Sequence, residues 1–375
     1  MVEKVSIIGA GIGGLTTALI LKQKGINFTV FESAASIEPI GAGIIIANNA
    51  MQVFQKLGIH GKIEKFGNKI SCMKITDPQL NPISIADLTP YEKKYGVHNI
   101  AIHRGELQKI IIDTIGSENI NTSKRLSKIE KKEVFQLTFD DNSTFKTELV
   151  IGADGIKSTV REQLFEQSII RNAKQICWRG ICEMDLPKKY HNELNEAWGK
   201  GKRFGFVKIS SKKVYWYALV NTKKNKIETV NLKELFEDFH CDILNIIAAT
   251  PQPTIRTSEI TDLKPINKWH DKNVCLIGDA AHATTPNLGQ GACQAIEDAY
   301  VLGRLLDSGI PLENTFQHYE KLRRKKAHAI VKTSWVVGKM AHIENDFGIW
   351  LRNLILKKLS KSSNKKQMDK IFQLN

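Results

Sequence analysis

A glycine-rich turn between a short apolar strand and a helix constrains this chain more than any other feature. Val5, Ile7 and Ile8 form an apolar run that stops at Gly9-Ala10-Gly11-Ile12-Gly13-Gly14, after which Leu15, Leu19 and Ile20 recur at helical spacing. Gly9 permits the tight turn, Gly11 lets the backbone approach a pyrophosphate, and Gly14 lets the helix lie close on the strand. The phosphate then meets a helix N-terminus. Gly25 ends the helix, and a second strand, Phe28-Thr29-Val30-Phe31, delivers Glu32, 18 residues beyond Gly14. A carboxylate at that place accepts both ribose hydroxyls of an adenosine and disfavours a 2′-phosphate, so the pattern fits FAD or NAD better than NADP.

Composition sets the outer limits. A length of 375 residues predicts two domains or one elaborate one. With 42% hydrophobic and 25% charged residues, the chain is not disordered, collagen-like or a coiled coil. Fifty-four basic against 39 acidic residues leave a net charge of +15, which suits a nucleic acid, an anionic surface or an acidic small molecule without choosing among them. No run approaches the roughly 18 consecutive apolar residues of a membrane span. The motif beginning at Gly9 leaves no room for a cleaved signal peptide, so a cytoplasmic location is expected. The six cysteines (Cys72, Cys177, Cys182, Cys241, Cys275 and Cys293) are scattered, as reduced thiols are. Cys177 and Cys182 lack histidines at ligand spacing, and no metal is expected.

Two later segments add to this. Leu149-Val150-Ile151-Gly152-Ala153-Asp154-Gly155, followed by Ser158 and Arg161, reads as a buried strand, a loop and a helix. Val274 to Gly278 is a second buried strand that ends at Asp279, with Ala280, Ala281 and His282 after it; Pro286 and Gly289-Gln290-Gly291 then lead into a helix from Ala292 to about Leu306. If Gly289-Gln290-Gly291 opens that helix, its free N–H groups and positive dipole end stabilise negative charge placed there.

With the N-terminal motif, these segments resemble the three fingerprints of the single-component FAD-dependent aromatic hydroxylases, the group A flavoprotein monooxygenases, from Val5 to about Leu306. The resemblance implies that Gly9, Gly11, Gly14 and Glu32 hold the ADP half of FAD. It implies that Arg104, within Ile102-His103-Arg104-Gly105-Glu106-Leu107, is the family's arginine on the cofactor. Asp154 would belong to the motif serving both FAD and the nicotinamide donor, and Asp279 would bind ribityl or ribose hydroxyls. Gly289, Gln290 and Gly291 would face the negative charge of a reduced flavin. The implied chemistry uses NADH or NADPH as a transient reductant. O₂ adds to the reduced flavin as a C4a-hydroperoxide, and one oxygen atom passes to an aromatic or conjugated small molecule.

From about Arg171 to Trp269 the pattern becomes strand-like. Lys202 to Ile209 and Val214 to Ala218 flank the polar turn Ser210-Ser211-Lys212-Lys213 and predict a hairpin. It looks most like that of the urate and salicylate hydroxylase branch. On that resemblance Arg203 and Tyr215 fall where a substrate-orienting arginine and tyrosine stand, and they are the catalytic candidates. A surface charge is the other reading of Arg203, and a hairpin-pair aromatic that of Tyr215. Trp178-Arg179-Gly180 reads as a further strand facing the pocket. His282 has no assignment, and no base able to ionise a phenol stands out.

The expected fold class is α/β: a Rossmann-type FAD-binding domain (1–70, 99–168 and 270–320), an inserted β-sheet substrate domain (71–98 and 169–269) and a C-terminal helical segment (321–375). In the last, Ile343, Phe347, Trp350, Leu351, Leu354 and Ile355 recur at three- and four-residue steps and predict an amphipathic helix. The preferred reading is a cover helix on the FAD-binding domain. The alternative is membrane-surface binding, with Lys357, Lys358, Lys361, Lys365 and Lys366 supplying the charge. Two rival functions remain at this point: a flavin oxidoreductase that inserts no oxygen, and a nucleic-acid or membrane-associated binding protein. The second explains the +15 charge and none of the motifs, so no nucleic-acid partner is expected.

Overall fold

The structure, a computed structural model, describes residues 4–37, 42–165, 167–222, 230–358 and 361–374. Strands Val5–Ile8, Phe28–Phe31, Leu149–Gly152 and Val274–Leu276 are buried along their whole length, as strands covered on both faces are. They run parallel in a six-stranded sheet, with Leu149–Gly152 and Val5–Ile8 at its centre. Ile8 pairs with both Gly152 and Phe31, and Gly152 pairs with Leu276, so this register ends four strands at one edge. The loops that begin at Gly9, Glu32, Ala153 and Ile277 leave from that edge, which is where open parallel sheets bind ligands.

Helix Ile12–Gln23 packs on this sheet and on helix Gly291–Leu306. Small residues allow the close crossing: a Cβ on Gly303 would lie 2.2 Å from Ile20 Cγ2. The 12–23 helix is covered on most sides, and its apolar and small residues encircle it instead of forming a stripe.

A second sheet has seven strands in the order Arg256–Leu263, Ile170–Glu183, Lys213–Asn221, Lys202–Lys208, Glu193–Trp198, Cys72–Thr76 and Pro82–Asp87. The expected hairpin is there, with Phe206 opposite Trp216, although Lys213 already belongs to its second strand. Strand alternation separates two faces. Phe204, Phe206 and Trp216 bury themselves against Phe236, Ile243 and Ile246. Arg203, Tyr215 and Tyr217 take the other face, toward the edge of the first sheet.

Three helices complete the chain: Leu312–Ala341, Asp346–Lys358 and Lys361–Phe372. The boundary expected at 321 falls inside the first. From this helix the buried Arg323 donates Nε to Asp298 Oδ1 at 2.8 Å, one terminal N–H to Glu297 Oε2 at 2.7 Å and the other to Gln294 Oε1 at 2.7 Å. Asp298 Oδ2 also accepts from the Gly278 N–H at 2.9 Å and pairs with His282 Nε2 at 2.5 Å. Burial would raise the Asp298 pKa, but the charges of His282 and Arg323 hold it well below the usual carboxylate range. His282 is therefore part of a buried hydrogen-bonded cluster.

The 346–358 helix corrects the sequence reading in place and orientation. It begins after Ile343 and packs on strand Pro82–Asp87 of the second sheet and on the end of the 312–341 helix, instead of covering the first sheet. Leu356 meets Ile83, Trp198 and Ala341. Arg352, on the inner side, lies 5.3 Å over the Trp198 ring and donates to the Met340 and Ala341 carbonyls, which the end of the long helix leaves free. The apolar stripe consequently faces outward. The last helix returns toward the first sheet, where Phe372 meets Tyr91 edge-on at 5.0 Å. The side chain of Lys361 lies outside the described residues.

Two histidines of the long-helix region make stability depend on pH. Burial pushes His342 down to about 3, with Arg203 adding to the effect, and pushes His328 down to about 4, with His282 and Arg324 adding to it. The unfolded chain takes up protons at these rings below about pH 6.5, while the folded chain resists until its lower pKa. Their contribution is thus complete above pH 6.5 and is lost as pH falls toward 4 and then 3. Chemical unfolding should show a loss of about 2–4 kcal/mol between pH 7 and pH 5. His342→Gln should remove about half of that dependence; a stability unchanged over this range contradicts the assignment.

Candidate functional site

A cavity of about 930 Å³ lies between the edge of the first sheet and the inner face of the second. That is near the upper end of the roughly 300–1,000 Å³ usual for small-molecule sites.

The glycine loop forms one wall, and its glycines do different work. Gly9 has φ +106°, and a Cβ on it would lie 2.4 Å from the Ala153 carbonyl oxygen. A Cβ on Gly14 would lie 2.0 Å from the Gly9 carbonyl oxygen. These two allow the turn and the close packing. Gly11 has φ −67° and ψ 177°, which any residue adopts, and nothing lies within 4 Å of its Cβ position. It lines the cavity beside the free N–H groups of the 12–23 helix, a cradle that a side chain would fill and a phosphate suits. Glu32 stands at the end of its strand, held by the Ala10 N–H at 2.7 Å and the Ala34 N–H at 2.8 Å. It borders the loop without lining the cavity itself.

Arg104 opens helix Arg104–Ile115, and Asp279 comes after strand Val274–Leu276; both line the cavity. Protein surrounds Asp279 while its own surface opens on the cavity. Burial raises its pKa, and the charges of His282 and Arg104 oppose this. Among the described residues, neither the Asp279 carboxylate nor the Arg104 guanidinium has a hydrogen-bond partner. Both are free for a ligand.

Gly289 takes φ +60° with open space at its Cβ position, and the 291–306 helix starts two residues later. Gly289, Gln290 and Gly291 all line the cavity. The Gln290 side chain is turned inward, where its Oε1 accepts from Asn49 and Gln294, each at 3.1 Å. Asp154 Oδ2 accepts from the Val160 N–H at 3.1 Å, at the start of helix Thr159–Leu164, and its Oδ1 is buried without a partner. Ala153 and Gly155 border the cavity in its place.

The hairpin closes the opposite side. Arg203 is not a surface charge, being 1% exposed. It donates to Glu196 Oε1 at 2.9 Å and to Asn287 Oδ1, and its Nε is left without a partner. Glu196 also accepts from the Trp198 indole at 2.6 Å and the Tyr217 hydroxyl at 2.5 Å. Asn287 in turn donates to Thr285 Oγ1 at 2.9 Å. Tyr215 lies against Gly43, where a Cβ would come 2.3 Å from its ring. Burial pushes the phenols of Tyr215 and Tyr217 far above their ordinary pKa, so both stay protonated as donors.

Glu196, Tyr217 and Asn287 are absent from the sequence candidates. Tyr217 shares a strand face with Tyr215 by simple alternation, a signal that was available. Asn287, 84 residues from Arg203, has no such signal. Toward the C-terminal helices the lining is apolar: Met73, Leu194, Val337, Met340, Leu356 and Ile371. Among the described residues, the group His240, Cys241 and Asp242 could offer metal ligands, but it caps a helix and does not line the cavity.

A profile of the family described as FAD binding domain matches residues 3–334. The chain belongs to that family. This FAD-binding protein is 33% identical to the aurachin C monooxygenase/isomerase of Stigmatella aurantiaca over 361 residues, 95% of this chain and 94% of the relative. It is 30% identical to the 2-heptyl-3-hydroxy-4(1H)-quinolone synthase of Pseudomonas aeruginosa over 380 residues, 98% of this chain and 97% of the relative. Its structure matches that of Klebsiella pneumoniae HpxO complexed with FAD and uric acid at a TM-score of 0.90 and 27% identity, covering 98% and 96% of the two chains. The resemblance to the aromatic hydroxylases holds, as does the α/β fold. The protein is an FAD-dependent monooxygenase with NAD(P)H as reductant, and the reading without oxygen insertion is not favoured. No helix among the described residues is long and apolar enough to cross a membrane.

Proposed function

We propose that this monooxygenase hydroxylates a flat aromatic ring system that carries an alkyl chain, of the 4-quinolone kind. The observation that carries the reading is the apolar lining formed by Met73, Leu194, Val337, Met340, Leu356 and Ile371. A purine has nothing to place there, whereas each buried CH₂ of an alkyl chain contributes about 0.8 kcal/mol. The hairpin supports the same conclusion. Glu196 already pairs with Arg203 and offsets its charge toward an anionic substrate, while the Arg203 Nε–H keeps no partner and stays available as a donor. The name of one relative, a 2-heptyl-3-hydroxy-4(1H)-quinolone synthase, agrees with it.

On this reading Gly11 and the 12–23 helix N-terminus take the pyrophosphate, Glu32 the adenosine ribose, Asp279 the ribityl hydroxyls and Arg104 the cofactor's negative charge. The backbone at Gly289 to Gly291 faces the flavin ring, where the helix dipole stabilises negative charge. Bound FAD, reduced by NADH or NADPH, supplies the activation of O₂ by which one oxygen atom enters the substrate and the other leaves as water. The protein's own part is to hold the ring and exclude water. Arg203 and Tyr215 orient the substrate as donors, while Asp154 acts by fixing the loop at Ala153 and Gly155. The proposed division into FAD-binding and substrate domains draws support from the strands: those of the first sheet fall in 1–70, 99–168 and 270–320, and those of the second in 71–98 and 169–269. All six cysteines are free thiols, which suits a cytoplasmic enzyme.

The test uses FAD-loaded protein with 2-heptyl-4(1H)-quinolone, urate and salicylate, following NADH and NADPH oxidation, oxygen uptake and product mass. The quinolone should stimulate oxidation and gain about 16 Da, with urate at least about tenfold slower. Arg203→Ala should slow the stimulated reaction about tenfold or more while FAD stays bound. Coupled hydroxylation of urate in preference to the quinolone would overturn the proposal.

A further inference from the structure

We propose that the outer face of the 346–358 helix, together with the basic helix after it, docks on an anionic lipid surface. This face lies on the outside of the molecule, and its role is independent of the substrate proposed above.

An amphipathic helix on a globular protein ordinarily turns its apolar stripe inward. Here it is turned out. Phe347, Trp350, Leu351 and Ile355 are 71%, 58%, 40% and 48% exposed, while Arg352 is buried on the opposite side. At 100° per residue these four, with Leu354, span one continuous arc, and Phe347 and Trp350 stack at 5.8 Å. Ile85, on the strand that the helix packs against, is 54% exposed as well. Large contiguous apolar patches on a protein surface mark interaction sites.

Charge selects the occupant. Residues 346–372 contain seven Lys or Arg and two Asp. Lys357, Lys358, Lys365, Lys366 and Lys370 are all exposed. Both aspartates are already paired, Asp346 with Lys200 at 2.8 Å and Asp369 with Lys94 at 3.8 Å. A second copy of this +15 chain would bring the same basic rim against itself. An anionic lipid surface complements it, each basic residue near the headgroups adding to the attraction. Exposed aromatic and leucine side chains beside lysines are what an interfacial helix uses, and 13 residues are too few to span a bilayer. The inner side of the helix supplies Leu356 to the cavity wall, so docking would set the apolar part of the cavity one helix away from the lipid.

The full-length, FAD-loaded protein should be sedimented with vesicles of phosphatidylcholine alone and with vesicles containing about one-third phosphatidylglycerol. Truncation is unsuitable because it removes Leu356 and Ile371 from the cavity wall. Two outer-face variants serve instead: Phe347→Ser/Trp350→Ser and Lys357→Glu/Lys358→Glu. The wild type should bind the anionic vesicles at least about tenfold more tightly than the neutral ones, and less tightly as salt rises. Each variant should lose about tenfold or more of that affinity while keeping its flavin and its basal NADH oxidation. Equal sedimentation of wild type and both variants would overturn the proposal. So would a dimer, seen by sedimentation velocity without vesicles, that Phe347→Ser/Trp350→Ser dissolves, because a second copy would then be the occupant.

Discussion

Replacing Gly11 by valine should yield a folded, colourless protein. The backbone at Gly11 lies at φ −67° and ψ 177°, and a new side chain meets no protein atom within 4 Å of its Cβ, so neither strain nor a clash opposes folding. The added methyl groups instead occupy the cradle beside the free N–H groups of the 12–23 helix, where the FAD pyrophosphate must approach the backbone. FAD affinity should fall about 100-fold or more, about 2.7 kcal/mol, measured by flavin fluorescence on titration into apoprotein. The far-ultraviolet circular dichroism should be unchanged. Gly14→Ala separates this effect from misfolding, because its Cβ would lie 2.0 Å from the Gly9 carbonyl oxygen and should prevent folding altogether. Full flavin retention by Gly11→Val would show that the loop does not bind the phosphates.

Arg323→Ala should be among the most destabilising single changes in the described structure. The guanidinium is wholly buried and satisfies Asp298, Glu297 and Gln294 at once, and these lie on the helix that borders the flavin site. Its loss leaves Asp298 with His282 and the Gly278 N–H, and Glu297 with Lys326 and the amides of Asn49 and Gln294, but takes away the cation that spans both carboxylates. Breaking a buried pair in this way typically costs about 3–5 kcal/mol, a large share of the roughly 5–15 kcal/mol that holds a domain folded. Arg323→Lys should recover little, since one ammonium cannot span two carboxylates with the planar fork of arginine. Denaturant unfolding of both variants checks this; a loss below about 1 kcal/mol for Arg323→Ala would show that the cluster relaxes around the gap. Because Asp298 also accepts from the Gly278 N–H, the variant should bind FAD more weakly even where it still folds.

The cavity shows how binding roles and structural roles share one stretch of sequence. Asp279 and Arg104 keep unengaged charged groups on the cavity, whereas one oxygen of Asp154 and the Gln290 side chain are used by the protein itself. In both of the latter cases nearby donors compete for the side chain. A helix start six residues on supplies the Val160 N–H to Asp154, and the buried amides of Asn49 and Gln294 capture Gln290. A motif fixes which residue stands at a position but not which hydrogen bond wins there.

By itself the sequence determined the elements whose information is local. The glycine turn, the strands ending at Gly152 and before Asp279, and the hairpin around Ser210 to Lys212 are each encoded in a short run. Apolar continuity, turn residues and helical spacing act over neighbouring residues, so they can be read there. Only the tertiary structure decided which distant side chains meet. Arg203 is paired with an opposite charge because sheet register places Glu196 beside it, and a loop 84 residues away brings the Asn287 amide oxygen as a further acceptor. The 346–358 helix is the clearest case. Its periodicity fixed a stripe but not the direction in which the stripe would face. That was settled by Arg352, which reaches the unpaired carbonyls at the end of the long helix and rests on Trp198, and so turns the apolar residues outward. Satisfying buried polar groups depends on partners that the neighbouring sequence does not contain.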